Sequence, residues 1–213
     1  IDSILSMEIE TLPKQNYLYN EPLDLSAGTI KVTRNSGISV INMTESMVKE
    51  MDNTPFNSRI LGTRNLKVTY GGITKTYEVT VSDYVTGIII TPPTKTNYEY
   101  NEPLDLTGGT VQKVMASGAA VTPVSLTQSM VSGYDPTKIG AQSITVNYEG
   151  KQGNFGVIVS DNIQTIKMKT TPKTSYKYGE ALDVTNGTIE VTRSSGAKEI
   201  IAITKNMDIV QKH

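Results

Sequence analysis

Three pairs of carboxylates recur in this chain at one spacing: Glu21 with Asp24, Glu102 with Asp105, and Glu180 with Asp183. Two acids three residues apart could serve general acid–base catalysis, which needs one carboxyl protonated, the other ionised, and both facing a cleft. The first two pairs lie in an identical heptapeptide, YNEPLDL, at residues 19–25 and 100–106, and the third in the altered copy YGEALDV at 178–184. Repetition weighs against catalysis, because an active site has little reason to recur in every unit of a chain. The residue types suit a tight turn between strands. Asn20 tolerates turn conformations, Pro22 fixes φ, Asp24 accepts backbone N–H bonds, and Leu23 and Leu25 point to one face. No catalytic residue is expected.

Other chemistries are tested in the same way. The chain has no Cys, no Trp and a single His, His213. That removes thiol nucleophiles, thiolate zinc sites, histidine bases and histidine metal clusters. Calcium is the alternative at Asp83 and Asp161, which end repeated segments, but it takes six to eight oxygens and no dense D-x-D run supplies them. No metal or other cofactor is expected. A Lys–Asn isopeptide cross-link needs a buried lysine, whereas Lys31, Lys67 and Lys75 fall on the wet positions of alternating strands. The aromatics are 11 Tyr and 2 Phe. A sugar platform would favour exposed Trp. Tyr17, Tyr98 and Tyr176, and likewise Tyr19, Tyr100 and Tyr178, read as packed rings whose hydroxyls reach backbone partners.

Net charge is -1, from 20 basic and 21 acidic residues, and no like-charge block stands out. An electrostatic case for nucleic acid or an anionic membrane is missing. The longest apolar runs, such as GIII at 87–90, are far too short to span a bilayer. No membrane insertion is expected of this fragment. The opening IDSILSMEIE is itself strand-like, so the chain reads as an excerpt of a longer protein, and the lack of a signal peptide is uninformative about export.

The elements that position these residues are repeats. PKQNYLYNEPLDLSAGTIKVTRNSG (13–37) returns as TKTNYEYNEPLDLTGGTVQKVMASG (94–118) and as PKTSYKYGEALDVTNGTIEVTRSSG (172–196). Steps of about 80 residues exceed the period of helical solenoids and suit small autonomous domains. Within a unit, period-two alternation dominates: Leu5, Met7 and Ile9; Ile30 and Val32; Leu66, Val68 and Tyr70; Tyr77, Val79 and Val81. Seven or so short strands separated by SAG, NSG and YGG turns are the signature of a β-sandwich. One helical turn is expected in MTESMVKEMD, capped by Thr44 with Met47, Val48 and Met51 at helical spacing. Met47, Met130 and Met207 hold corresponding places and read as plugs at one end of the core. In the middle copy the second apolar residue, Val114, falls one position late, which predicts a bulge near Gln112 and Lys113.

The combined pattern resembles the bacterial Ig-like domains called group 3. It is carried by Tyr17, Tyr19, Glu21, Leu23, Asp24, Leu25, Gly28, Ile30, Val32 and Gly37, and continues through Gly62, Leu66, Val68, Tyr70, Gly72, Tyr77, Val79 and Val81. The resemblance implies an all-β fold of tandem immunoglobulin-like sandwiches with units at 1–83, 84–161 and 162–213, the third one truncated. It also implies a non-catalytic spacer, stalk or adhesive module of an exported or surface-anchored bacterial protein, and the family brings no shared catalytic residues. The partner would be an unknown protein or glycan at the cell surface. The alternative is a carbohydrate-binding accessory module of an exported polysaccharide-degrading enzyme. The third copy lacks counterparts of the last two strand motifs, so strand pairing with another molecule through it is a further expectation. The linkers SDYVTG (82–87) and SDNIQT (160–165) are short and neither Gly/Ser- nor Pro-rich, which predicts limited hinge freedom.

Overall fold

Alternating apolar residues place one face of a strand in a core and the other in water. The structure, a computed structural model that describes residues 2–207, has strands as its regular elements, with one short 3-10 turn among the described residues; His213 lies outside them. The first repeat has seven strands: β1 (Ile4–Thr11), β2 (Asn16–Leu18), β3 (Thr29–Arg34), β4 (Gly37–Asn42), β5 (Val48–Glu50), β6 (Gly62–Tyr70) and β7 (Ile73–Ser82). They form two sheets, β1-β3-β4 and β2-β7-β6-β5. Neighbours run antiparallel except β2 and β7, which are parallel with Tyr17 beside Val81. The core lies between the sheets. Met7, Ile30 and Val32 from one meet Val48, Leu66, Val68, Val79 and Val81 from the other, and Tyr17, Leu25, Met43 and Tyr77 close it.

The second repeat repeats the plan with β8 (Val85–Thr91), β9 (Asn97–Glu99), β10 (Thr110–Met115), β11 (Val124–Ser125), β12 (Val131–Ser132), β13 (Gly140–Tyr148) and β14 (Lys151–Ser160). Its sheets are β11-β10-β8 and β12-β13-β14-β9, and β9 again runs parallel to β14. The third repeat contributes β15 (Ile163–Thr170), β16 (Thr188–Arg193) and β17 (Lys198–Ala202) in one sheet among the described residues. Ile166 and Met168 are exposed there, whereas Met7 at the place of Ile166 is fully buried. By contacts the chain divides into two compact units, Ile1–Ile88 with Lys113–Thr122, and Ile89–Gln112 with Pro123–His213.

Three expectations need correction. The alternation assigned to Leu5, Met7 and Ile9 breaks at its first member: a register shift between Ile4 and Ser6 turns Leu5 outward and Ile4 onto the core. The helical turn near Thr44 is a single closure, with the N–H of Met47 bonded to Thr44 O (2.9 Å). Val48 then enters β5 opposite Val68, because burial against the facing sheet outweighs a weak helical spacing. In the second repeat the same closure is a short 3-10 turn, Gln128–Met130. The methionine plugs hold only in part: Met47 is half-buried against the core, and Met130 is half-buried. Met207 is exposed, whereas Met43 and Leu126 are buried. As for β10, Val111 is buried and Val114 half-buried, and its far end pairs as in the first repeat: Ala116 N–H to Tyr84 O (2.9 Å), Asn35 N–H to Ser3 O (3.3 Å).

Candidate functional site

The carboxylate pairs occupy one corner, built the same way in each repeat. The turn after β2 closes with Glu21 N–H to Leu18 O (3.0 Å), and the Glu21 carboxylate accepts the N–H of Leu18 (2.8 Å) and the ammonium of Lys14. Glu102 does this with Glu99 N–H (2.9 Å) and Lys95, and Glu180 with Lys177 N–H (2.9 Å) and Lys173. Asp24 bridges the next turn, accepting Ser26 N–H (3.0 Å) and the Ser26 hydroxyl (2.7 Å). Asp105 and Asp183 accept the N–H of Thr107 (2.9 Å) and Thr185 (2.8 Å). The tyrosine seven residues before each aspartate ties the loop to the core. The Tyr17 hydroxyl donates to Asp24 O (3.2 Å) and accepts Asp24 N–H (3.3 Å), and Tyr98 and Tyr176 repeat both bonds with Asp105 and Asp183. These rings meet the expectation of a buried tyrosine with a backbone partner, Tyr176 excepted in its exposure. Tyr19, Tyr100 and Tyr178 do not: they sit at the turn, and Tyr178 is fully exposed.

Electrostatics agree with this division of labour. Lys14 holds the Glu21 carboxyl below its ordinary value, as Lys95 and Lys173 do for Glu102 and Glu180. Hydrogen bonds from Ser26, Thr107 and Thr185 lower Asp24, Asp105 and Asp183. Both members of each pair move downward, so neither is held protonated as a general acid would be. Lys14, Lys95 and Lys173 also lie over the tyrosine rings, at 5.4, 5.3 and 5.2 Å from the centroids. Sequence reasoning missed these lysines, although one stands seven residues before the glutamate in every repeat.

Asp83 and Asp161 have a second recurrent role. Each precedes the first strand of a repeat and clamps the turn of that repeat's first-sheet hairpin. Asp83 accepts Ser117 N–H (3.1 Å) and the Ser117 hydroxyl, while Asp161 accepts Ser195 N–H (2.8 Å) and hydroxyls of Ser194 (3.0 Å) and Ser195 (2.8 Å). Asp2 does the same to Ser36 (3.1 and 2.8 Å). These carboxylates are engaged by the protein itself. Lys31, Lys67 and Lys75 make surface contacts, with Glu10 (3.3 Å), Met51 O (3.0 Å) and Glu8 (3.0 Å). The connection after β5 also repeats in outline. In the first repeat Arg64 pairs with Glu50 (2.9 Å) and donates to Ile60 O (2.6 Å). In the second, buried Gln142 takes that role, donating to Asp135 O (2.7 Å) and Lys138 O (2.6 Å).

The sequence profile of the bacterial Ig-like domain (group 3) matches residues 11–81 and 91–159. The chain belongs to this family. These bacterial Ig-like repeats are also similar to part of an exo-beta-1,6-galactobiohydrolase of Bifidobacterium longum subsp. longum, 29% identical over 157 residues. The match covers 70% of this chain but only 10% of that enzyme's length. Among solved structures, the S-layer protein rSbsC matches at 14% identity and a TM-score of 0.27, over 99% of this chain and 41% of that one. A structure of domains 4-9 of the surface layer protein SbsC matches at 14% identity and 0.27, over 97% and 40%. Likenesses this slight carry no weight for function.

Proposed function

We propose that these Ig-like repeats are a non-catalytic spacer, stalk or adhesive module of an exported or surface-anchored bacterial protein, with repeat boundaries at 1–83, 84–161 and 162–213. One observation carries this reading. The residues most capable of chemistry hold the same structural positions in successive repeats, with both carboxylates of each pair ionised and bonded to their own loop. A part that every unit needs in order to fold is what a repeated spacer requires.

A second reading, a carbohydrate-binding accessory module of an exported polysaccharide-degrading enzyme, is favoured by the similarity to the galactobiohydrolase. Glycan-array binding and titration with β-1,6-linked galacto-oligosaccharides separate the two. The spacer reading expects no saturable binding at millimolar sugar and no hydrolysis of glycosides by the purified chain. Saturable binding selects the accessory module, and hydrolysis overturns both readings. Small-angle scattering supplies an independent check, since a spacer gives the profile of a rod.

A further inference from the structure

Edge strands are where a sheet can continue into another chain, and proteins blunt them with charge, proline or shortness. The strand after the clamped turn lies at the edge of its sheet in all three repeats, as β4, β11 and β17. In the second repeat it is blunted: β11 is two residues long and follows Pro123. In the third it carries Lys198 and Glu199. β4 has none of these devices. It runs GISVIN over six residues without charge or proline, and exposes Ile38 (68%) and Val40 (59%).

Its backbone is open along the same edge. The N–H of Met43 bonds to Gly28 O (2.9 Å), and the register continues with Asn42 beside Thr29 and Ile41 beside Ile30. Bonded and non-bonded pairs alternate along an antiparallel ladder. The N–H and C=O groups of Ile38, Val40 and Asn42 therefore face away from β3, towards solvent.

We propose that β4 is a self-association edge whose occupant is β4 of a second copy of this chain. The two strands pair antiparallel about a two-fold axis, so that each three-stranded sheet continues into the other. An uncharged edge offers nothing to steer a charged peptide and no repulsion between identical copies. A two-fold axis makes the same backbone edge complementary to itself. With Ile38 opposite Val40 of the second copy, the outward N–H and C=O groups meet, and the four exposed apolar side chains cover one another. A contact this small gives weak, concentration-dependent dimers.

Sedimentation equilibrium of the 213-residue chain from micromolar to millimolar concentration tests this. The expected result is a reversible dimer whose dissociation constant rises at least tenfold in Val40→Lys and in Ile38→Lys. Melting temperatures should not change, because both side chains are exposed. Ile166→Lys, on the exposed face of β15, is expected to leave the dimer intact. A chain that stays monomeric throughout overturns the proposal. So does association that survives both β4 variants, and its loss in Ile166→Lys would then place the contact on the third repeat.

Discussion

The tyrosines divide by what their hydroxyls meet. Tyr98 is buried, and its hydroxyl bonds Lys95 O (2.9 Å) as well as both backbone groups of Asp105. Tyr77 is equally enclosed, yet its hydroxyl has no hydrogen-bond partner, and desolvation pushes its pKa up. Phe155 stands at the matching place in the second repeat, opposite Ile144 as Tyr77 is opposite Leu66. A buried polar group left unpaired costs about 1–3 kcal/mol. Tyr77→Phe should therefore stabilise the first repeat by about 1 kcal/mol, while Tyr98→Phe should destabilise the second by about 1–2 kcal/mol by orphaning Asp105. Urea denaturation of the two variants measures both effects, and a destabilised Tyr77→Phe would contradict the reading of that hydroxyl.

At the scale of elements, the corner and the first-sheet hairpin are locked together by one glycine per repeat. A Cβ on Gly28 would stand 2.9 Å from both Met43 Sδ and Pro13 Cβ, and one on Gly109 2.9 Å from Leu126 Cδ1 and 3.0 Å from Pro93 Cγ. Each glycine also accepts the N–H that ends the hairpin, from Met43 or Leu126 (both 2.9 Å). Gly28→Ala should cost about 1–3 kcal/mol through overpacking against proline, which cannot swing away as the methionine can. Thermal melting of that variant checks this, and an unchanged midpoint would rule out the close approach. Much of this was legible in sequence. The alternation in β3, β6 and β7 located the core, and the recurring Tyr17, Tyr98 and Tyr176 announced their backbone partners. The turn residues were legible too: Asn20 and Asn101 take φ of +63° and +67°, and Gly179 takes +78° where the third copy drops its Asn. What escaped depends on contacts distant in sequence or on single inserted residues. Periodicity cannot register the bulge that exchanges Ile4 for Leu5. Nor can it say that Lys14, outside any strand, reaches Glu21, or that β2 lies parallel to β7.

For the molecule as a whole, the repeated carboxylates set the pH dependence of folding. Asp83 and Asp161 are held below the ordinary 3.8 by hydrogen bonds from the serines they clamp, and Glu21, Glu102 and Glu180 below 4.5 chiefly by their lysines. A carboxylate whose folded pKa is depressed favours folding when ionised. Its contribution is complete above the unfolded value and disappears as pH falls through the folded one. The melting temperature should stay level from neutral pH down to about 5, then decline steadily below about 4. Asp83→Asn combined with Asp161→Asn should make that decline shallower. Calorimetry across this range decides, and a chain that gains stability on acidification would reverse the assigned sign.

The side-by-side, same-direction course of β2 and β7 has a mechanical consequence. Asn16, Tyr17 and Leu18 pair with Thr80, Val81 and Ser82, so the chain comes into the pair at one end and leaves it at the other. Tension drawn along the backbone slides these strands past each other and loads their hydrogen bonds together, in shear. An antiparallel hairpin pulled from its open end would give way one bond at a time. The second repeat carries the same arrangement between β9 and β14, so a pull on the chain would load the bonds of either pair together.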